Sequence, residues 1–373
     1  MLKYTYAYLD HFRTRSVVYM TPYERIMAVL RGRKDEVDRL PAMNSVCTST
    51  LEVMKAFDAY WPEAHRNPEK MARLASGLHR LAGLDNATLP FELTLEAEVL
   101  GAPLEFFETQ VKWPTIKAFI AKEVSDLKFP KDVSKAGRIP VVTKAISLLK
   151  KEFEGKIPII AYITCPFTSI SSYLVESIEF LKSVRTNPDK IHEFYRETYP
   201  LYAEIANAFT EAGADVITFR EEATSLDNIS PVHFEQFVKP YLTKMISLTK
   251  PPRILHICGQ CARPNSEIEI VGKMIECGAE AITIDERTPM KLAREIADRV
   301  KPGYPIGGNV NPYTTLHQGS VEAIRDAVKR VVDEGTDMVA PGCDFWLETP
   351  TEKIKAFVQA VAEFGTPTND KSM

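Results

Sequence analysis

KIPIIAYIT (156–164), ADVITFR (214–220), RILHICG (253–259), AEAITIDE (279–286), YPIGGNV (304–310) and DMVAPGCD (337–344) are short β-branched runs separated by longer stretches of helical pattern. Strands alternating with helices predict βαβ units and a parallel sheet. LPAMNSV (40–46) and NATLPFEL (86–93) raise the strand count to eight, the number of a closed (β/α)8 TIM-type barrel. Three helix-to-strand junctions, EAGADVITF, ECGAEAITI and EGTDMVAP, carry a glycine just past a helix, where a left-handed cap costs little. Ahead of the regular region, Thr21-Pro22-Tyr23-Glu24 reads as a capping box opening a helix that ends at Gly32. Residues 47–150 are more helical and irregular, and are expected to add to the barrel. The organisation expected is an N-terminal extension (1–20), one α/β barrel domain (21–367) with N-terminal helical additions, and a short tail (368–373).

Composition narrows the function. The 373 residues carry 46 basic and 50 acidic side chains, a net charge of −4, with the two signs interspersed. No basic stripe marks a nucleic-acid surface. The apolar runs fall far short of the roughly 20 residues that span a bilayer. Residues 1–20 lack the apolar core and small-residue cleavage site of a secretory signal, so a cytoplasmic location is expected. Six cysteines in a chain of this length are too sparse for a disulfide scaffold, and are expected to be thiols or ligands.

The chemistry concentrates in RILHICGQC. His256 and Cys258 are two residues apart on a strand, so both side chains leave the same face. They stand at the C-terminal end of that strand, where barrel enzymes gather their active sites, and so does Cys343 in DMVAPGCDFW. One His and two Cys with a position left open is a donor set of catalytic zinc. Spacing alone also fits ordinary core residues, or a local set completed by Cys261, although Cys261 lies beyond the strand end. Cys47, Cys165 and Cys277 read as structural, with Cys47 and Cys165 near strand ends.

HICG followed by APGC about 85 residues later, together with WPEAHRNPEKMARLA (61–75), resembles the corrinoid-dependent methyltransferases of the uroporphyrinogen decarboxylase superfamily. The resemblance runs from about Thr21 to the C-terminal helix. It implies a barrel with zinc on His256, Cys258 and Cys343, and a separate corrinoid-binding protein docked over the mouth. It argues against decarboxylation, because the Arg-rich N-terminal loop of the decarboxylases has no match in LPAMNSVCTST. No Asp-x-His-x-x-Gly stretch is present, so the corrinoid is expected to arrive on that partner. A metal-free barrel, either decarboxylating or merely binding, is the competing class.

Direction of transfer turns on weaker signals. Where the thiol-methylating members carry a short Asp-Pro stretch after the fourth strand, this chain has Arg220-Glu221-Glu222. Two carboxylates at the mouth disfavour an anionic sulfonate such as coenzyme M unless Arg220 offsets them, and they are candidates for handling a proton. Tyr162, Phe345 and Trp346 are candidates for an apolar wall against an aromatic ring. Glu92 and Asn309, at strand ends, are candidate substrate ligands, followed by Asp285 and Asp344. His65 and His79 read as surface or capping groups. On this basis the expected reaction is demethylation of a methoxylated aromatic compound to methylate Co(I) corrinoid, with methylation of a thiol such as coenzyme M as the alternative.

Overall fold

The computed structural model describes residues 19–46 and 49–367. Cys47, nearly all of the expected N-terminal extension and the expected tail lie outside the described residues. Among the described residues eight strands form: β1 (Ala87–Leu89), β2 (Leu104–Glu105), β3 (Thr115–Ile116), β4 (Ile159–Thr164), β5 (Val216–Arg220), β6 (Arg253–Ile257), β7 (Ala281–Ile284) and β8 (Ile306–Gly307). β2 and β3 make a separate antiparallel pair. The other six form one parallel sheet in the order β1-β4-β5-β6-β7-β8.

Six of the eight strands expected from the sequence form this sheet, in keeping with the expected α/β class, and the other two are held differently. Segments 40–46 and 337–344 are not regular strands. Met338 and Pro341 bridge to Gly307 and Val310, and Ala42 bridges to Val339, all in parallel sense. The Asp85 amide then donates to the Ala42 carbonyl at 2.8 Å, which leads back to β1. Pro41 and Pro341 have no amide hydrogen to give to the ladder in these segments, which explains why they pair by single bridges.

Register decides which side chains point inward. Ile160 pairs with Val216, Thr164 with Arg220, Arg220 with His256, and His256 with Thr283. Alternation then puts these residues on one face. The lower inward layer, Ile160, Val216, Ile254, Ala281, Met338 and Met43, packs on Ile26, Met27, Val29 and Leu30 of the helix Pro22–Leu30. That helix begins at the expected capping box, with the Glu24 amide donating to the Thr21 hydroxyl at 3.2 Å. Buried Arg25, paired with Asp38 at 2.8 Å and Asp85 at 2.9 Å, fixes it across the N-terminal end. The apolar layer closes one end, and the polar upper layer of Arg220, His256 and Thr283 faces the other.

At β8 the glycine pair of GGN has a packing reason. Gly308 has φ +124°, and a Cβ there would stand 2.5 Å from the Ile284 carbonyl. Only glycine allows this approach to β7.

Candidate metal centre

His256 is the last but one residue of β6 and faces inward, and Cys258 follows directly past the strand. The imidazole is buried. Its Nδ1 pairs with the Thr283 hydroxyl at 2.9 Å, leaving Nε2 directed at the Cys258 sulfur, 3.0 Å away. Burial and the Arg220 charge push His256 down to about 3, so the ring is neutral with a lone pair to offer. Cys343 arrives from the irregular segment after Pro341, its carbonyl held by Asn44 Nδ2 at 3.3 Å. Its sulfur touches that of Cys258, the two Cα atoms being 6.3 Å apart. One donor atom from each of the three residues lies within 4.8 Å of the others, close enough to share a metal ion. A neutral imidazole oriented by a hydroxyl, beside two soft sulfurs, is a donor set that suits zinc.

Cys261 does not join them. It is buried, its sulfur directed at the carbonyls of Ile257 and Gly259, and burial pushes the thiol well up. Buried Cys165 and Cys277 are likewise held far above the ordinary thiol range by loss of solvent.

Around the sulfurs stands a charged collar. Arg220, the last residue of β5, is 2% exposed. Its guanidinium binds Glu222 through Nε and Nη2, and donates to Asp344 at 3.0 and 3.3 Å. Nη2 also points at the Cys343 sulfur at 3.4 Å. The rings of Tyr162 and Trp113 lie 5.7 and 6.0 Å from the guanidinium carbon. Glu222 Oε1 is 3.5 Å from the Cys258 sulfur and 3.9 Å from that of Cys343.

The other residues singled out in the sequence divide. Glu221 turns away from Glu222: it accepts from the amides of Phe167 and Thr168 and from the Thr168 hydroxyl. Burial still outweighs these bonds and holds it up to about 7. The Tyr162 hydroxyl accepts from the amides of Phe91 and Glu92 and donates to the Glu92 carbonyl, so its ring, not its hydroxyl, meets Arg220. The Glu92 carboxylate is gripped by both Nη atoms of Arg138 and by the Thr94 hydroxyl at 2.6 Å. Asn309 donates to the carbonyls of Asp285 and Thr288, tying two mouth loops. Trp346 is 47% exposed and meets Tyr313 edge-on, with His317 nearby.

His65 departs from the expected surface position. It is fully buried, stacked on Trp61 and 3.8 Å from Glu92, because Glu63–His65 is a short 3-10 turn folded under the hairpin that carries Phe106. Two residues of the site escaped the sequence reading. Thr283 is identified only by its register opposite His256. Trp113 lies in the irregular insertion beside β3, where no periodicity points at the mouth.

An α/β barrel with a His-Cys-Cys set at the C-terminal end of its strands is an enzyme architecture. Residues 21–364 match the family described as uroporphyrinogen decarboxylase (URO-D), and the chain belongs to that family. It is 32% identical over 343 residues to the methylcobamide:CoM methyltransferase MtaA of Methanosarcina barkeri, covering 91% of this chain and 97% of the relative. With the methylcobamide:CoM methyltransferase MtbA of Methanosarcina acetivorans it shares 29% identity, covering 92% and 98%. A solved methyltransferase from Methanosarcina mazei superposes with a TM-score of 0.85 at 33% identity, over 92% of this chain and 99% of that one. Within the family, the chain is a methyltransferase.

Proposed function

We propose that this enzyme moves a methyl group from a methylated corrinoid, carried on a separate protein, to a small thiol, with residues 21–367 forming one catalytic barrel. His256, Cys258 and Cys343 hold a zinc ion in this reading, and their convergence at the mouth is the observation that carries it. Bound there, zinc stabilises the thiolate form of the acceptor near neutral pH. Thr283 keeps the proton of His256 on Nδ1 and the ring aimed at the centre. Glu222, beside both sulfurs, is the carboxylate within reach of the proton the thiol gives up. Glu221 has no such part, its oxygens being spent on residues 167 and 168.

The thiol direction is preferred to the ether direction expected from the sequence for a physical reason. Of the two carboxylates that argued against an anionic thiol, Glu221 faces away and Glu222 is paired with Arg220. The names of the relatives, both coenzyme M methyltransferases, favour the same side. Demethylation of an aryl methyl ether stays as the second reading, supported by the Tyr162 and Trp113 rings beside the centre.

The test is a two-way assay on the cobalamin absorbance with zinc-loaded protein. Thiols, including coenzyme M, are offered with methylcobalamin, and methoxybenzoates with Co(I) cobalamin. Thiol-dependent loss of methylcobalamin supports the proposal. Methylation of Co(I) by an ether without reaction of any thiol transfers it to the second reading.

A further inference from the structure

The two ends of the centre are built unequally. His256 belongs to a strand paired on both sides, with β5 and β7, and Cys258 follows directly. Cys343 has no such support: it lies in a bend whose nearest sheet contact is the single bridge at Pro341. A ligand loop of this kind needs side-chain anchors to hold its sulfur in place.

Asn44 reaches the Cys343 carbonyl, and Arg220 anchors the side-chain end of the loop. Its guanidinium grips the neighbouring Asp344 with both Nη atoms at 3.0 and 3.3 Å, and Nη2 points at the Cys343 sulfur at 3.4 Å. Arg220 itself is fixed by its place at the end of β5 opposite His256, by Glu222 and by the Tyr162 and Trp113 rings. Its fork is therefore directed at protein groups, not held out to the substrate.

We infer that Arg220 is a positioning residue of the metal centre, which seats Cys343 through Asp344 and donates an N–H···S hydrogen bond that tempers the electron donation of that sulfur. The inference rests on the reading of His256, Cys258 and Cys343 as metal ligands. A planar fork serves two acceptors at once, which a lysine ammonium cannot reproduce. Loss of an N–H···S bond leaves the sulfur lone pair less stabilised, so sulfur-to-metal charge transfer falls to lower energy.

The test uses the full chain loaded with Co(II) as the spectroscopic probe, and a chromophoric chelator competing for Zn(II). Arg220→Gln, Arg220→Lys and Asp344→Asn are compared with the wild type. Arg220→Gln is expected to move the sulfur-to-cobalt band to longer wavelength and to weaken zinc binding about 10- to 100-fold, the range for lost support of a metal ligand. Asp344→Asn, which leaves Arg220 present, is expected to weaken zinc binding less and to keep the band near its wild-type position. Arg220→Lys is expected to fall between. Should Arg220→Gln fold poorly, Arg220→Lys and Asp344→Asn carry the comparison. Wild-type uptake of metal with unchanged spectra and affinities in the variants overturns this inference alone. A wild type that takes up no metal overturns the ligand reading and this inference with it.

Discussion

Glu92 gives the sharpest separation between a substrate ligand and a structural acid. Its side chain is fully buried, and its partner Arg138 is 8% exposed. Removing one member of a buried ion pair costs about 3–5 kcal/mol, because the survivor is left charged without compensation. Where each change falls in that range follows from the remaining contacts. In Glu92→Gln, Arg138 keeps Glu98 at 2.9 Å, so the loss is expected near 3 kcal/mol on that same scale. In Arg138→Met, Glu92 keeps only the Thr94 hydroxyl and a His65 that burial pushes down to about 4 and leaves neutral, so the expected loss is near 5 kcal/mol. The double change Glu92→Leu with Arg138→Met removes both charges and is expected to be much milder than the sum of the two single changes. Urea unfolding of the four proteins measures these terms, with methyl transfer assayed on the folded fraction. Single losses under about 1 kcal/mol with a tenfold fall in turnover would overturn the structural role and return Glu92 to the substrate.

Other expectations follow from the same contacts. Ile26→Ala, in the helix sealing the barrel, is expected to cost about 2–5 kcal/mol in denaturant unfolding, and a loss under about 1 kcal/mol would mean the seal is loosely packed. Glu221 has a folded value raised from 4.5 to about 7, so its contribution is most favourable below pH 4.5 and is lost as pH rises through about 7. That amounts to about 3 kcal/mol by pH 8, at 1.36 kcal/mol per unit. Glu221→Gln is expected to flatten this slope in unfolding measured at pH 5 and pH 8, and an unchanged slope would place its origin elsewhere. Thr283→Val is expected to weaken zinc retention about 10- to 100-fold in chelator competition while leaving the fold intact; undiminished retention would show that His256 is oriented without it.

The barrel was legible because its interior strands are continuous β-branched runs, and the parity of His256 and Cys258 needed only the two-residue period of a strand. Segments 40–46 and 337–344 read as strands from composition, yet their prolines reduce them to bridges. Side-chain direction beyond a strand end was not legible. Glu221 and Glu222 are adjacent in sequence, but one bonds the chain at 167–168 and the other meets the sulfurs, a division set by the 3-10 turn Glu222–Thr224. Glu92 looked available because its partner Arg138 lies 46 residues away in the irregular insertion. His65 looked exposed for the same reason, since the hairpin covering it has no periodic signature.

In the proposed reaction a metal held by His256, Cys258 and Cys343 activates a thiol. Its most direct test follows the demethylation of methylcobalamin by coenzyme M with protein as purified, stripped by chelator and restored with zinc, with metal content measured on each sample. The expected results are one zinc per chain, loss of reaction on stripping, recovery on restoration, and no recovery in Cys343→Ser. Undiminished thiol methylation by zinc-free protein, or by Cys343→Ser, would contradict it.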